Sequence, residues 1–115
     1  MERRKAHRVG TYQPIRLRLQ CSGRYVETLI KDLSEGGVRC LVEGCPSLNE
    51  HIIIELPLYK EVRPIQTQAR IAWVQPLVPK AQSEVGVSFD ELSPHDRQAL
   101  AEYVERLSNT FASKN

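Results

Sequence analysis

The stretch Lys31-Asp32-Leu33-Ser34-Glu35-Gly36-Gly37-Val38-Arg39 decides how this chain folds, because it joins two apolar runs at residues 26–30 and 38–42. Two apolar runs joined by adjacent glycines are typical of two strands that meet at a tight connection. Asp32 and Ser34 are two residues apart, so an extended chain would turn both side chains to one face. The same pattern is also typical of a turn whose side chains bond their own backbone. The stretch alone leaves both interpretations open.

Length and composition indicate one globular domain. The chain has 115 residues, of which 41% are hydrophobic and 26% charged, which is enough for a single core. Every purely apolar run in the chain is far too short to cross a bilayer, and the basic N-terminus lacks the apolar segment of a secretory signal. We therefore expect a cytoplasmic protein without membrane insertion.

Cysteine spacing and net charge exclude further classes. The three cysteines Cys21, Cys40 and Cys45 show no metal-ligand spacing with one another or with the histidines. This favours free thiols in a reducing compartment and predicts no metal site. The formal net charge of +2 argues against a protein that coats DNA or RNA.

A short basic segment, residues 2–8, precedes the first predicted strand. It reads Glu-Arg-Arg-Lys-Ala-His-Arg and has no apolar periodicity, so we expect residues 1–12 to form a flexible arm. Arg4 and Arg8 are four residues apart, and Arg3 adds a third guanidinium. Such planar groups bind phosphates and the O6/N7 edge of guanine through paired hydrogen bonds. A solvated basic tail without a specific ligand is the alternative.

Period-two alternation of apolar residues predicts a barrel between residues 14 and 91. The predicted strands are residues 14–20, 24–30, 37–43, 51–56, 65–74 and 84–89. In the fifth strand, alternation places Trp73 on the same face as Ile71. In the sixth, Gly86 predicts a bulge or a close backbone approach. Six short strands with turn signals between them predict a mainly β fold, a small six-stranded antiparallel β-barrel.

The C-terminal residues predict a helix over residues 93–112. Ser93 is a good N-cap and Pro94 suits the first helical position. Leu100, Tyr103 or Val104, Leu107 and Phe111 recur at three-to-four spacing and predict one apolar stripe. We expect this stripe to cover an open end or face of the sheet, with a partner surface as the alternative.

No catalytic motif is present in the sequence. It contains neither a Gly-x-x-x-x-Gly-Lys phosphate loop nor a Gly-x-Ser-x-Gly nucleophile elbow. Its carboxylates are scattered, and no motif places a histidine beside a serine or a cysteine. The sequence therefore predicts no catalytic residues and a binding module instead of an enzyme.

Two motifs in this order resemble those of the PilZ domain, the bacterial receptor module for the second messenger cyclic diguanylate (c-di-GMP). They are Arg4-x-x-x-Arg8, preceded by Arg3, and Asp32-x-Ser34-x-x-Gly37. Residues 69–74 and 85–89 are similar to two further strands of the family, and a terminal helix follows. The resemblance thus runs over residues 2–108.

The resemblance implies roles for the three arginines of the arm. Arg4 and Arg8, with Arg3 beside them, would wrap over c-di-GMP and bind its guanine edges and phosphates. An arginine at the position of Arg3 accompanies binding of a stacked, intercalated ligand dimer in similar proteins. The resemblance therefore implies that this chain binds such a dimer.

The resemblance also implies roles for four residues of the barrel. Asp32 and Ser34 would bind guanine nitrogens and exocyclic groups, and Gly37 would keep the surface open for the base. Trp73 is at the position where some members stack an aromatic ring near the ligand. A tryptophan buried in the core is the alternative for this residue.

The implied function is that of a non-enzymatic receptor that passes its signal to an unidentified effector protein when the arm becomes ordered. One alternative is a PilZ-like adaptor that contacts a protein and does not bind nucleotide. Another is an oligonucleotide-binding barrel. Barrels of that class use clusters of aromatic residues, whereas this chain has only one Trp, four Tyr and two Phe, with no cluster on a strand. We therefore expect neither DNA nor RNA as a partner.

Overall fold

The computed structural model describes residues 9–10, 14–19, 23, 25–59 and 62–112 of the chain. The elements are β1 (Val9–Gly10), β2 (Pro14–Leu19), β3 (Tyr25–Ser34), β4 (Gly37–Glu43), β5 (His51–Leu56), β6 (Ile65–Pro76), β7 (Gln82–Phe89) and α1 (Pro94–Ala112). Arg3, Arg4 and Arg8 of the predicted arm lie outside the described residues. Within these residues, no helix combines the length and hydropathy that a membrane span requires.

Six of these strands close into an antiparallel barrel. Their order is β3-β2-β5-β6-β7-β4, and β4 pairs back with β3. The predicted six-stranded antiparallel β-barrel with a C-terminal helix is confirmed. β3 is long enough to pair with two strands along one edge, with β2 up to Leu29 and with β1 further on. β1 therefore adds a short seventh strand, with Val9 opposite Leu33 and Gly10 opposite Asp32.

The core fills the barrel and continues beneath the helix. Alternate residues of β2, β4 and β5 are buried as their period-two pattern predicts. In α1, Leu100 and Val104 are buried in the same core, and the helix contacts both β1 and β3. Its N-terminus is capped by Ser93, whose Oγ accepts a hydrogen bond from the Asp96 amide at 3.0 Å. The side chain of Phe111 lies outside the described part of the chain.

A bulge in β3 determines which side chains leave the core. Ile30 pairs with Cys40 and Asp32 pairs with Arg39, so Lys31 is an extra residue on this strand. An extra residue inverts the alternation that follows it. Leu33 is consequently fully buried in the core, and Asp32 lies on the outer face of the barrel. β3 extends to Ser34, past the end that its sequence pattern predicts.

A second bulge lies in β6. Ile71 pairs with Val87 and Trp73 pairs with Gly86, which leaves Ala72 as the extra residue. Trp73 therefore leaves the inward face and is 41% exposed. The prediction that Trp73 shares the face of Ile71 is wrong, because the bulge inverts the alternation between them. The interpretation of Trp73 as a core tryptophan is wrong for the same reason.

Candidate functional site

The outer surface of β3, β4, β7 and β6 carries two rows of residues. Within each row, the residues pair with one another across neighbouring strands. The first row is Asp32, Arg39, Gly86 and Trp73, and the second is Ser34, Gly37, Ser88 and Arg70. We call these eight residues the site face. β1 lies beside the first row, because the backbone of Gly10 pairs with Asp32. Four residues that the sequence singled out, Asp32, Ser34, Gly37 and Trp73, thus come together on one surface.

Four charged side chains alternate in sign across the site face and its border. Arg39 Nη2 lies 2.7 Å from Asp32 Oδ2, and Arg39 Nη1 lies 3.9 Å from Glu84 Oε1. Lys31 of the bulge completes the group, with its Nζ 2.7 Å from Glu84 Oε2. The Asp32 side chain is only 9% exposed. Asp32 is thus a nearly buried carboxylate with a charged partner, the arrangement that makes burial of a charge tolerable.

Ser34 takes part in the hairpin turn that follows β3. Its Oγ accepts a hydrogen bond from the Gly36 amide at 3.2 Å and lies 3.5 Å from the Gly37 carbonyl oxygen. Ser34 and Asp32 both belong to the strand, while residues 35–36 form the turn. The turn interpretation of the motif therefore holds for Ser34, whose hydroxyl bonds its own backbone.

Two glycines of the site face are required by close contacts. A Cβ on Gly37 would overlap the carbonyl oxygen of Val87, and a Cβ on Gly86 would overlap the indole of Trp73. Gly37 is thus fixed by backbone packing in the structure, in addition to the role at the ligand that the resemblance implies for it. Gly86 allows the Trp73 ring to lie on the sheet. The sequence predicted a bulge or a close backbone approach at Gly86. The Trp73 ring makes the close approach, and the bulge lies in β6, the strand that pairs with Gly86.

Arg39 is a candidate residue that the two sequence motifs do not contain. The tight turn at residues 35–36 places Asp32 opposite Arg39, so the register of this hairpin was the signal that could have identified it. The Nε of Arg39 is buried and has no hydrogen-bond partner among the residues that the structure describes. Within the same part of the chain, no group of three His, Cys, Asp or Glu side chains could hold a metal ion.

Cys40 lies directly beneath the charged group. It is fully buried, and burial raises the pKa of its thiol to about 12, with the negative charge of Glu84 as a second cause. Such a thiol is protonated at neutral pH, and since the thiolate is the nucleophilic form, Cys40 has no reactive character. Burial also raises the pKa of Tyr103 in α1, with nearby Tyr59 as a second cause.

Comparisons with known proteins agree with this fold. The PilZ domain of Escherichia coli YcgR, solved with c-di-GMP, matches with a TM-score of 0.71 and 17% identity over 99% of this chain and 100% of that one. Bacillus subtilis MotI/DgrA, an inhibitor of motility, matches with a TM-score of 0.79 and 21% identity over 96% of this chain and 53% of that one. The K. pneumonia MrkH–c-di-GMP complex matches with a TM-score of 0.74 and 16% identity over 100% of this chain and 57% of that one.

This chain thus spans about half the length of MotI/DgrA and MrkH and the whole of the YcgR domain. No curated protein sequence matches it significantly. The family model of the PilZ domain matches residues 2–106, from the arginine segment through the barrel and into α1. Because this match covers almost the entire chain, the protein belongs to the PilZ domain family.

Proposed function

We propose that this protein is a non-enzymatic receptor for c-di-GMP in the bacterial cytoplasm, and that it signals to an effector protein when its N-terminal arm becomes ordered on the ligand. The pairing of β1 with β3 carries the proposal. Val9, which directly follows Arg8 in the sequence, lies opposite Leu33, between Asp32 and Ser34. This pairing supports the proposal, because the chain that directly follows Arg8 runs beside Asp32 and Leu33.

The length of the arm is compatible with this role. Arg8 is adjacent to Val9, and Arg4 is five residues before it. Five extended residues span at most about 18 Å, so both guanidinium groups remain within reach of a ligand on the site face. The side chains of Arg4 and Arg8, each with paired hydrogen-bond donors, would thus contact a ligand from the side of the arm, while Asp32 would contact it from the barrel.

The chemistry of the ligand matches the side chains that are available. c-di-GMP has two phosphates and two guanines. Arginine binds phosphates and the guanine O6/N7 edge through paired hydrogen bonds, whereas a carboxylate such as Asp32 accepts hydrogen bonds from the guanine N–H groups. The exposed ring of Trp73 offers a surface on which a base can stack. The YcgR and MrkH structures, which share this fold, were solved with c-di-GMP.

Isothermal titration with c-di-GMP tests the receptor role. We expect saturable binding by the wild type, and about ten- to hundredfold weaker binding by Arg4→Ala, because a charge-assisted hydrogen bond contributes about 1.5–3 kcal/mol. Arg16→Ala is the matched control, since Arg16 is an exposed arginine on β2 that pairs with Glu27 and Glu55. A stoichiometry near two ligands per chain would support the intercalated dimer that the presence of Arg3 implies.

Limited trypsin digestion tests the signalling step separately. The arm offers cleavage sites at Arg3, Arg4, Lys5 and Arg8, and we expect saturating c-di-GMP to slow cleavage there. Unchanged cleavage would reject ordering of the arm while leaving the receptor role intact. If the wild type gives neither heat nor a thermal shift with c-di-GMP, the nucleotide-independent adaptor becomes the better description.

A further inference from the structure

The pairing between Arg39 and Asp32 gives the site face a component that its sequence motifs do not contain. The two residues are directly opposite each other on β4 and β3, and Arg39 Nη2 lies 2.7 Å from Asp32 Oδ2. A carboxylate has two oxygens with about four positions for hydrogen bonds. The contact with Arg39 uses one position on Oδ2 and constrains the rotation of the group.

Arg39 is itself held in place from a second direction. Its Nη1 lies 3.9 Å from Glu84 Oε1, and Glu84 is bound by Lys31 at 2.7 Å. The neighbour of Arg39 on β7 is Gly86, and the Trp73 indole lies over this glycine. The guanidinium is therefore kept between two carboxylates, and its position is determined by three strands of the barrel.

The position of Arg39 has an energetic cost, which a purely stabilising role of the residue does not explain. Arg39 Nε is buried and finds no hydrogen-bond partner in the described part of the chain, and an unsatisfied buried donor is unfavourable. Such groups in folded proteins call for an explanation in terms of function or strain.

We propose that Arg39 is a positioning residue for ligand recognition, which acts by holding the Asp32 carboxylate in the orientation that accepts hydrogen bonds from a guanine edge. This inference rests on the proposed c-di-GMP receptor function. A base that presents no pair of N–H donors to the carboxylate, such as adenine, gains nothing from this orientation. Arg39 therefore contributes to the choice of guanine through the orientation of Asp32.

A double-mutant cycle on c-di-GMP binding by the full chain tests this role. The variants are Arg39→Met, Asp32→Asn, their combination, and Arg39→Lys, with Arg16→Met as the matched control on β2. We expect Arg39→Met to weaken binding about tenfold in the wild-type background and less than about twofold in the Asp32→Asn background. Arg39→Lys keeps the charge and should recover most of the affinity, and Arg16→Met should bind as the wild type does.

The possible outcomes separate this inference from the proposed function. An equal loss for Arg39→Met in both backgrounds, or no loss in either, would overturn the positioning role while c-di-GMP binding by the wild type stands. No binding by the wild type would overturn the proposed function and this role with it. Thermal unfolding of each variant checks that it is folded, and if Arg39→Met is not, the same cycle is run with Arg39→Gln.

Discussion

Two sides of the barrel each carry an arginine that pairs with a carboxylate on a neighbouring strand, yet they differ in almost every other respect. On β2, Arg16 lies between Glu27 of β3 and Glu55 of β5 at 3.9 and 3.5 Å, and the Glu27 side chain is 79% exposed. We call these three residues the ladder face. On the site face, Arg39 and Asp32 are 2.7 Å apart, and the Asp32 side chain is 9% exposed.

The difference shows what makes a surface of this barrel suitable for binding. The strands of the ladder face pair in regular register, and exposed ion pairs on such a surface contribute little to stability. The site face has bulges at Lys31 and Ala72 and glycines at positions 37 and 86. The bulges turn Asp32 and Trp73 outward, and Gly86 leaves room for a large ring to lie on the sheet. The charge pair alone is therefore not what distinguishes the site.

The largest effect is expected from Gly37→Ala, which tests the packing of the site face. The added Cβ would overlap the backbone carbonyl of Val87, and strands β4 and β7 would have to separate. We expect a loss of about 3 kcal/mol or more in the free energy of unfolding, measured by urea denaturation. Gly36→Ala is the control, because its Cβ would meet only Ser34 Oγ at 3.8 Å. Equal stability of the two variants would contradict this account.

Removing one carboxylate charge from each face tests whether the site face alone binds c-di-GMP. Asp32→Asn should weaken c-di-GMP binding about ten- to hundredfold, since a charge-assisted acceptor is lost. Glu55→Gln removes an arginine-paired carboxylate from the ladder face and should change the dissociation constant less than about twofold. Both constants are measured by isothermal titration. Similar losses in the two variants would show that the faces do not differ in function.

A smaller effect is expected from Gly86→Ala. The new methyl group would displace the Trp73 indole, at a cost of about 1–2 kcal/mol in stability. The sequence has a single tryptophan, so its fluorescence reports on this ring alone, and we expect its emission maximum to move. Ser88→Ala, two residues along the same face, should leave the emission unchanged. An unaltered spectrum in Gly86→Ala would mean that the ring does not lie on Gly86.

The smallest effect concerns the core beneath the site face. Burial raises the pKa of the Cys40 thiol from its ordinary value of 9.0 to about 12, so the unfolded chain loses this proton at a lower pH than the folded chain. The stabilisation is complete below about pH 9 and declines as the pH rises toward 12. Between pH 8 and pH 10 we expect Cys40 to account for about 1 kcal/mol of lost stability.

The Cys40→Ala variant checks this value by urea denaturation at both pH values. Its alkaline decline in stability should be smaller than that of the wild type by this amount. Cys45→Ala, which removes an exposed free thiol, should keep the full decline. A decline in Cys40→Ala as steep as in the wild type would show that water reaches the core beneath the site face.

Most of the fold could be predicted because alternation and capping are local signals. The buried positions of β2, β4 and β5 follow the sequence pattern, and α1 begins at Pro94 after the Ser93 cap. The bulges could not be predicted in this way. Trp73 is apolar and continues the alternation of β6, so the apolar pattern looks unbroken although Ala72 is an extra residue. Only the pairing with β7 reveals the inversion.

The candidate site was predictable where it depends on neighbouring residues and not where it depends on distant ones. Asp32 and Ser34 belong to a recognisable motif, and Arg39 could have been identified from the register of the same hairpin. The contact between Trp73 and Gly86 depends on how two strands pair, which alternation within each strand does not determine. The ligand roles of Arg3, Arg4, Arg8, Asp32, Ser34, Gly37 and Trp73 remain predictions for the experiments above.

The bulge at Lys31 has a consequence for how relatives of this protein are recognised. Two residues, Lys31 and Asp32, separate Ile30 from Leu33, although Ile30 and Leu33 both lie in the core. Asp32 faces outward because it directly precedes the inward-facing Leu33. In a relative that lacks the residue at position 31, regular alternation would keep the residues equivalent to Ile30 and Leu33 inward and the aspartate outward, without a bulge. A one-residue gap directly before the aspartate therefore leaves the outward direction of the motif unchanged, and it tells whether a relative has the bulge.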